Sequence, residues 1–149
     1  MSDTHSKVKS IRILLVDDYP MIRKGTRCIL EVHPSIEVVG EASDGEEVIA
    51  CIEKVQPTVV VMDLVMPKMD GIAATRLIKT QYPQVAVVGL IHDLNDCTVN
   101  SLKTAGASEV VDKQNAVVEL YGAIQRALVS IDEKPVSRSE VGPGPGFYD

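Results

Sequence analysis

Three aspartates and one lysine occupy positions from which they could bind a metal ion and a phosphoryl group. Asp17 and Asp18 follow one short apolar run, Asp63 follows a second, and Lys113 follows a third. Carboxylates about 4 Å apart repel each other by about 1 to 4 kcal/mol per pair, depending on screening. Magnesium would relieve that repulsion and leave a coordination position for a phosphate oxygen, whose charge the lysine ammonium could neutralise. The four residues therefore indicate magnesium-dependent phosphate chemistry.

Each of these residues also has an ordinary structural interpretation. An acidic pair after a strand often lies in a solvated turn or caps a helix, and a single aspartate in that position is commoner still. Taken alone, Lys113 would be interpreted as a surface lysine. The functional interpretation depends on whether the fold brings all four side chains to one place.

Apolar runs alternate with segments of helical periodicity along the chain. Strands are predicted at residues 11–16, 36–42, 58–62, 85–91 and 109–111. Helices are predicted at residues 20–32, 45–55, 71–81 and 96–105, with a last helix capped by Asn115 and running to residue 131. This alternation predicts an α/β fold, a doubly wound five-stranded parallel sheet with five helices. A flavodoxin-like order 2-1-3-4-5 would place the first and third strands side by side and bring the three aspartates together.

Length and composition predict one folded domain without nucleic-acid or membrane contacts. The 149 residues fit a single domain at 11–131, between a flexible N-terminus at 1–10 and a Pro/Gly-rich disordered tail or linker at 132–149. A net charge of −6 argues against direct nucleic-acid binding. No apolar run is long enough to span a membrane and no signal peptide is evident, so a cytoplasmic location is expected. The three cysteines suggest neither a zinc site nor a disulfide framework, and are expected to be reduced and partly buried.

Several motifs resemble those of a known signalling family. They are LLVDD at 14–18, MDLVMPKMDG at 62–71 and GAS at 106–108 ahead of Lys113. Together they resemble the receiver domain of two-component response regulators, over residues 11 to about 128. The segments DYPMIRKG at 18–25 and IAATR at 72–76 are most similar to the LuxR-type subfamily.

The resemblance implies a phosphorelay function. Asp63 would accept a phosphoryl group from the phosphohistidine of a sensor histidine kinase, with Lys113 at the same site. Asp18 and Asp63 would bind Mg²⁺ directly, Asp17 through water, and the backbone carbonyl of Val65 would add a ligand. Such a protein is not an enzyme beyond self-phosphorylation from a phosphodonor and slow autodephosphorylation. The sensor kinase is the expected partner, and a homodimer through the receiver is a further expectation.

Two positions depart from the family pattern. Aligned without gaps from Asp63 to Lys113, the pattern places Ile91 where a Ser or Thr normally hydrogen-bonds the phosphoryl group. The same alignment places Val110 where an aromatic residue normally moves inward on activation. A shifted register would bring His92 near the site, but the spacing favours His92 as a loop residue. Both usual switch residues are therefore missing.

Three functional alternatives remain at this point. The leading one is a phosphorylated receiver, either standing alone or cut from a LuxR-type transcriptional regulator. A second is a pseudo-receiver that binds partners without phosphorylation, which Ile91 and Val110 favour and the intact acids oppose. The third is a metal-dependent phosphohydrolase, which would need a second acid two residues after Asp63, where Val65 stands.

Overall fold

A five-stranded parallel sheet forms the centre of the molecule. The structure, a computed structural model, describes residues 10–63, 70–92 and 95–133. In chain order the elements are β1 Ile11–Val16, α1 Pro20–Glu31, β2 Ile36–Ala42, α2 Gly45–Val55, β3 Val59–Asp63, α3 Gly71–Gln81, β4 Ala86–Ile91, α4 Asp96–Ala105, β5 Glu109–Asp112, a 3₁₀ turn Lys113–Asn115 and α5 Ala116–Glu133. The strand order is β2-β1-β3-β4-β5. This confirms the predicted flavodoxin-like arrangement.

The register of the central strands fixes the geometry of the carboxyl edge. β1 pairs in parallel with β3, and Val16 lies opposite Met62. The next residues along the two strands are Asp17 and Asp63, so two carboxylates leave the sheet side by side. Every residue of β3 is buried, as expected for a central strand covered on both faces.

Helices cover both faces of the sheet with aliphatic side chains. On one face, α1 and α5 contribute Leu30, Leu120, Ala123, Ile124 and Ala127 to an apolar cluster with alternate residues of the strands. On the other face, α2, α3 and α4 contribute Val48, Ile52, Ala74, Ile78 and Leu102. Because strand side chains alternate between faces, each strand supplies both clusters. The sheet is thereby held rigidly from both sides.

Some element boundaries differ from the predicted spans. β3 runs from Val59 to Asp63 rather than over 58–62, and the hydroxyl of Thr58 just before it accepts from the Arg12 backbone N–H at 3.0 Å. Asn115, the predicted cap of α5, is the last residue of the 3₁₀ turn and directly precedes that helix. The turn itself is capped by Asp112, whose side chain accepts from the Gln114 N–H at 2.8 Å.

The burial of the cysteines differs from the prediction. Cys28 and Cys97 are exposed and only Cys51 is partly buried, since the first two lie on the outward faces of α1 and α4.

α5 continues to Glu133, two residues into the predicted tail. Most of the predicted flexible N-terminus and tail lies outside the described residues. None of the helices in the described ranges is both long and apolar enough to cross a bilayer.

Candidate functional site

The four chemically active side chains predicted from the sequence lie together at the carboxyl edge of the sheet. Carboxylate oxygens of Asp17, Asp18 and Asp63 all lie within 4.8 Å of one another. The Nζ atom of Lys113 lies 3.0 Å from Oδ1 of Asp63 and 3.4 Å from Oδ2 of Asp17. The arrangement combines three negative charges with one positive charge in a space that could hold a small cation and an anionic group.

Asp17 is held by contacts with several elements. Its backbone N–H donates to the Ala42 carbonyl at 3.1 Å, which ties the end of β1 to the end of β2. Its Oδ1 accepts from the Tyr19 N–H at 2.9 Å. Its carbonyl oxygen accepts from NH1 of Arg23 at 2.6 Å. With Oδ2 facing Lys113, the position of Asp17 is determined from four directions.

Asp18 has a side-chain oxygen with no hydrogen-bond partner among the described residues. Its Oδ1 is buried, and no hydrogen-bond partner for it exists within the described part of the chain. A buried carboxylate oxygen without compensation is costly, by several kcal/mol in an apolar setting. A cation held between this oxygen and the neighbouring carboxylates would supply the missing interaction. Together with hard oxygen donors, this favours Mg²⁺ over softer metals.

Asp63 and Lys113 form the other half of the site. Asp63 is the last residue of β3 and is 4% exposed. Burial by itself lowers the pKa of Lys113, but the hydrogen bond and charge of Asp63, with those of Asp17, raise the pKa above its ordinary value of 10.5. Lys113 is therefore a firmly charged cation at neutral pH, able to stabilise negative charge on a group bound at Asp63.

Replacing Lys113 with methionine should reduce stability at neutral pH. The change removes a charged hydrogen-bond donor from two buried carboxylates, and we expect a loss of about 2 kcal/mol at pH 8 with a chelator present. Because the folded state holds the Lys113 proton more tightly, wild type should lose this contribution as pH rises through the raised pKa, above about 10.5. Urea unfolding of both proteins from pH 8 to 11.5 measures it. If the difference in free energy of unfolding between wild type and Lys113→Met did not shrink with rising pH, the proposed contribution of the Lys113 charge would be wrong.

The remaining predicted positions fall partly inside the described residues. Val65, the predicted carbonyl ligand, lies outside them. Ile91 is the last residue of β4 and is 1% exposed, and Asp63 pairs with the residue before it, Leu90. His92 follows the strand and is exposed, as its interpretation as a loop residue predicts. Val110 is partly buried in β5, against the same apolar cluster as Ile91.

The sequence analysis missed Arg23. Its Nε donates to Oε1 of Glu41 at 2.7 Å while NH1 binds the Asp17 carbonyl, so it connects α1 to the ends of β1 and β2. A usable signal was present in the sequence. An arginine one turn into the predicted first helix faces the carboxyl edge of the sheet, and the second strand carries an acid just before its end at that edge.

Comparison with known proteins identifies the family. The profile of the response regulator receiver domain matches residues 13–125. The transcriptional regulatory protein LiaR of Bacillus subtilis is 40% identical over 117 residues, covering 78% of this chain and 56% of LiaR. The chain spans about half the length of the curated relatives it matches.

Solved structures support the same relationship. A LuxR-family two-component response regulator from Aurantimonas has a TM-score of 0.78 at 34% identity, covering 82% of this chain and 87% of that one. The isolated receiver domain of RcsB from Salmonella enterica, solved with the phosphomimetic BeF₃⁻, has a TM-score of 0.72 at 26% identity and covers 85% of this chain and 91% of its own. From its matched sequence and its fold, the chain belongs to the response regulator receiver domain family.

Proposed function

We propose that this receiver accepts a phosphoryl group on Asp63 and acts as a phosphorelay switch. The convergence of three carboxylates with Lys113, whose Nζ lies 3.0 Å from Oδ1 of Asp63, carries the proposal. In the reaction an Asp63 oxygen attacks phosphorus, an O–P bond forms, and the N–P bond of a phosphohistidine breaks. The departing imidazole keeps the bonding electron pair and takes a proton from water. Lys113 stabilises the charge on the transferred group.

Magnesium is the proposed cofactor. Asp18 and Asp63 would hold it directly, Asp17 through water, and the carbonyl of Val65, outside the described residues, would complete the protein's contribution. When bound, Mg²⁺ neutralises charge between the acceptor carboxylate and the phosphoryl oxygens. The Oδ1 of Asp18, which is buried and has no hydrogen-bond partner in the described ranges, supports this ligand set.

The proposed partner is the phosphohistidine domain of a sensor histidine kinase in the cytoplasm. Response regulators receive their signals from such kinases, and the family relationship supports the same partner here. The activity would be limited to self-phosphorylation from a phosphodonor and slow autodephosphorylation. The names of the relatives describe transcriptional regulators, so regulation of transcription by the whole protein, and a homodimer through the receiver, are included in the proposal.

The direct test is the mass of the intact protein. After incubation with Mg²⁺ and a small-molecule phosphodonor, the chain should gain one acid-labile phosphoryl group. Omitting Mg²⁺ should reduce the gain strongly. A chain that binds Mg²⁺ but is labelled by neither a phosphodonor nor a kinase would contradict the proposal.

Magnesium should stabilise the folded protein. Binding to the native state alone contributes RT ln(1 + [Mg²⁺]/Kd), or about 1.4 kcal/mol at a concentration ten times Kd. For a domain of this size, that is an increase in Tm of a few degrees. Asp18→Ala should abolish the increase, because it removes one of the two carboxylates proposed to bind Mg²⁺ directly. Thermal unfolding with Mg²⁺ and with a chelator measures it.

Asp44→Ala is a suitable control for that experiment. Asp44 is also a buried acid, but it caps α2 by accepting from the Glu46 and Glu47 N–H groups. The control should lower Tm and keep the response to Mg²⁺. If the response were equal in wild type and Asp18→Ala, the proposed metal site would be wrong.

A second candidate function is supported by Ile91. A buried isoleucine at the end of β4 offers no hydroxyl to a phosphoryl group. A pseudo-receiver would use the same fold as a constitutive protein-binding module. Labelling by mass distinguishes the two functions, because only the phosphorylated receiver gains a group on Asp63.

A further inference from the structure

Arg23 links three elements next to the acid cluster. From the first turn of α1, its NH1 donates to the backbone carbonyl of Asp17 at 2.6 Å and its Nε donates to Oε1 of Glu41 at 2.7 Å. Its side chain is only 17% exposed, so water competes little for these two bonds. A planar guanidinium can make both bonds at once, whereas an ammonium acts as a single point charge.

The contact with Asp17 bears on the orientation of Asp18. The peptide group between them is planar, so the direction of the Asp17 carbonyl fixes the direction in which the chain enters Asp18. Asp17 is also held by Ala42, Tyr19 and Lys113, but those bonds involve its N–H and its carboxylate. The carbonyl group, whose direction sets the orientation of the peptide plane, accepts its hydrogen bond from Arg23.

Asp18 depends on this orientation because no comparable bond holds its own side chain in the described part of the chain. Its buried Oδ1 has no hydrogen-bond partner among residues 10–63, 70–92 and 95–133. Its position therefore comes from the backbone. A ligand displaced by a fraction of an ångström fits Mg²⁺ poorly, since this ion requires near-ideal octahedral geometry.

We propose that Arg23 is a positioning residue for metal binding, which orients Asp18 by holding the Asp17–Asp18 peptide against Glu41. Arg23 does not contact the metal or the phosphoryl group in this role. The inference rests on the proposed function, because it presumes that Asp18 is a metal ligand. On this proposal, the ion pair of Arg23 with Glu41 affects the affinity for Mg²⁺ separately from the stability of the fold.

Arg23→Lys tests the proposal, with Arg27→Lys as its matched control. Arg27 lies one turn further along α1 and also pairs with Glu41, at 3.5 Å, and with Glu31, at 3.8 Å. The structure gives Arg27 no hydrogen bond to Asp17 in the described residues. Both substitutions keep the charge and the helix. Calorimetric titration with MgCl₂ gives Kd, and urea unfolding in a chelator gives the metal-free stability.

We expect Arg23→Lys to raise Kd for Mg²⁺ about tenfold, the usual effect of losing a group that orients a ligand. Arg27→Lys should change Kd less than twofold. Glu41→Gln leaves Arg23 in place but weakens its anchor, so it should raise Kd by less than Arg23→Lys does. This variant also keeps the proposal testable if Arg23→Lys folds poorly.

The outcomes separate this inference from the proposed function. If wild type binds Mg²⁺ and is labelled, but Kd is unchanged in Arg23→Lys and in Glu41→Gln, only the positioning role is wrong. An equal rise of Kd in Arg23→Lys and Arg27→Lys would also overturn it, because it would indicate a general loosening of α1. A wild type that shows neither Mg²⁺ binding nor labelling overturns the proposed function and this inference with it.

Discussion

Asp63→Asn should remain at its unmodified mass under conditions in which the wild-type receiver gains one phosphoryl group. The amide lacks the negative oxygen that must attack phosphorus, and no other described carboxylate is placed equivalently. Asp17 has one oxygen bonded to the Tyr19 N–H and the other next to Lys113. Asp18 follows the end of β1 by two residues, whereas Asp63 is the terminal residue of β3. We expect complete loss of labelling, measured by intact mass spectrometry at several times after phosphodonor addition.

The experiment must also show that Asp63→Asn still folds and that the phosphoryl group of the wild-type chain is on Asp63. Asp63→Asn should keep the circular dichroism and cooperative unfolding of wild type, because asparagine has nearly the same size as aspartate. Asp112→Asn is a matched control at the same edge of the sheet, since Asp112 ends β5 and its side chain caps the 3₁₀ turn. It should be labelled normally. Residual labelling of Asp63→Asn at the wild-type level would place the acceptor elsewhere.

Phosphorylation of the wild-type chain should change the α4 and β5 region less than in a variant given both usual switch residues. A phosphoryl group shifts a conformational equilibrium only by its different contacts with the two states. One hydrogen bond to a charged group contributes about 1.5–3 kcal/mol, enough to change a population ratio by about ten- to a hundredfold. Ile91 cannot make that bond. The double variant Ile91→Thr, Val110→Tyr should therefore show the larger response.

The packing around these two positions supports that expectation. Ile91 is 1% exposed and lies in the apolar cluster that includes Leu102 of α4, and Val110 packs against the same cluster. Gly89, in the same strand, would place an added Cβ 3.0 Å from a methyl carbon of Leu102, which shows how closely α4 approaches β4. Close packing of this kind resists small displacements.

Amide hydrogen exchange across residues 91–111 measures the response. Wild type and double variant would each be compared with and without a beryllofluoride mimic of the phosphoryl group. Exchange in α2, which packs against β1 and β2 rather than β5, serves as an internal reference. A large change in wild type that the double variant leaves unaltered would show that this receiver signals through other contacts.

Much of the fold could be predicted because the sequence pattern and the tertiary structure agree. The strand at 11–16 is an apolar run interrupted only by Arg12, and it becomes a central strand of the sheet, between β2 and β3. The helices at 71–81 and 96–105 begin after Asp70 and Asn95, whose side chains accept from backbone N–H groups three residues on. Local signals of this kind need no knowledge of distant contacts. The parallel order then follows from the alternation of strands and helices.

The contacts of the residues that support the site could not be predicted in the same detail. The sequence places Arg23 and Glu41 near the same edge of the sheet, but it does not reveal that the guanidinium binds the Asp17 backbone carbonyl and Glu41 together. Nor does it reveal that Oδ1 of Asp18 has no hydrogen-bond partner among the described residues. β5 also runs one residue further than its apolar pattern, so Asp112 ends the strand and caps the 3₁₀ turn that follows.

The pairing of β1 with β3, and the placement of Lys113 after β5, have a consequence for synthesis of the protein. The acid pair, the acceptor and the lysine come from segments that are about 50 residues apart in sequence. Contacts so distant along the chain require the closure of long loops, which costs more conformational entropy than local contacts do. A chain emerging from the ribosome carries all three acids well before Lys113 and the helix that follows it. Asp63 therefore lacks the Lys113 ammonium until β5 is in place, which would make the proposed phosphoryl acceptance depend on completion of the sheet.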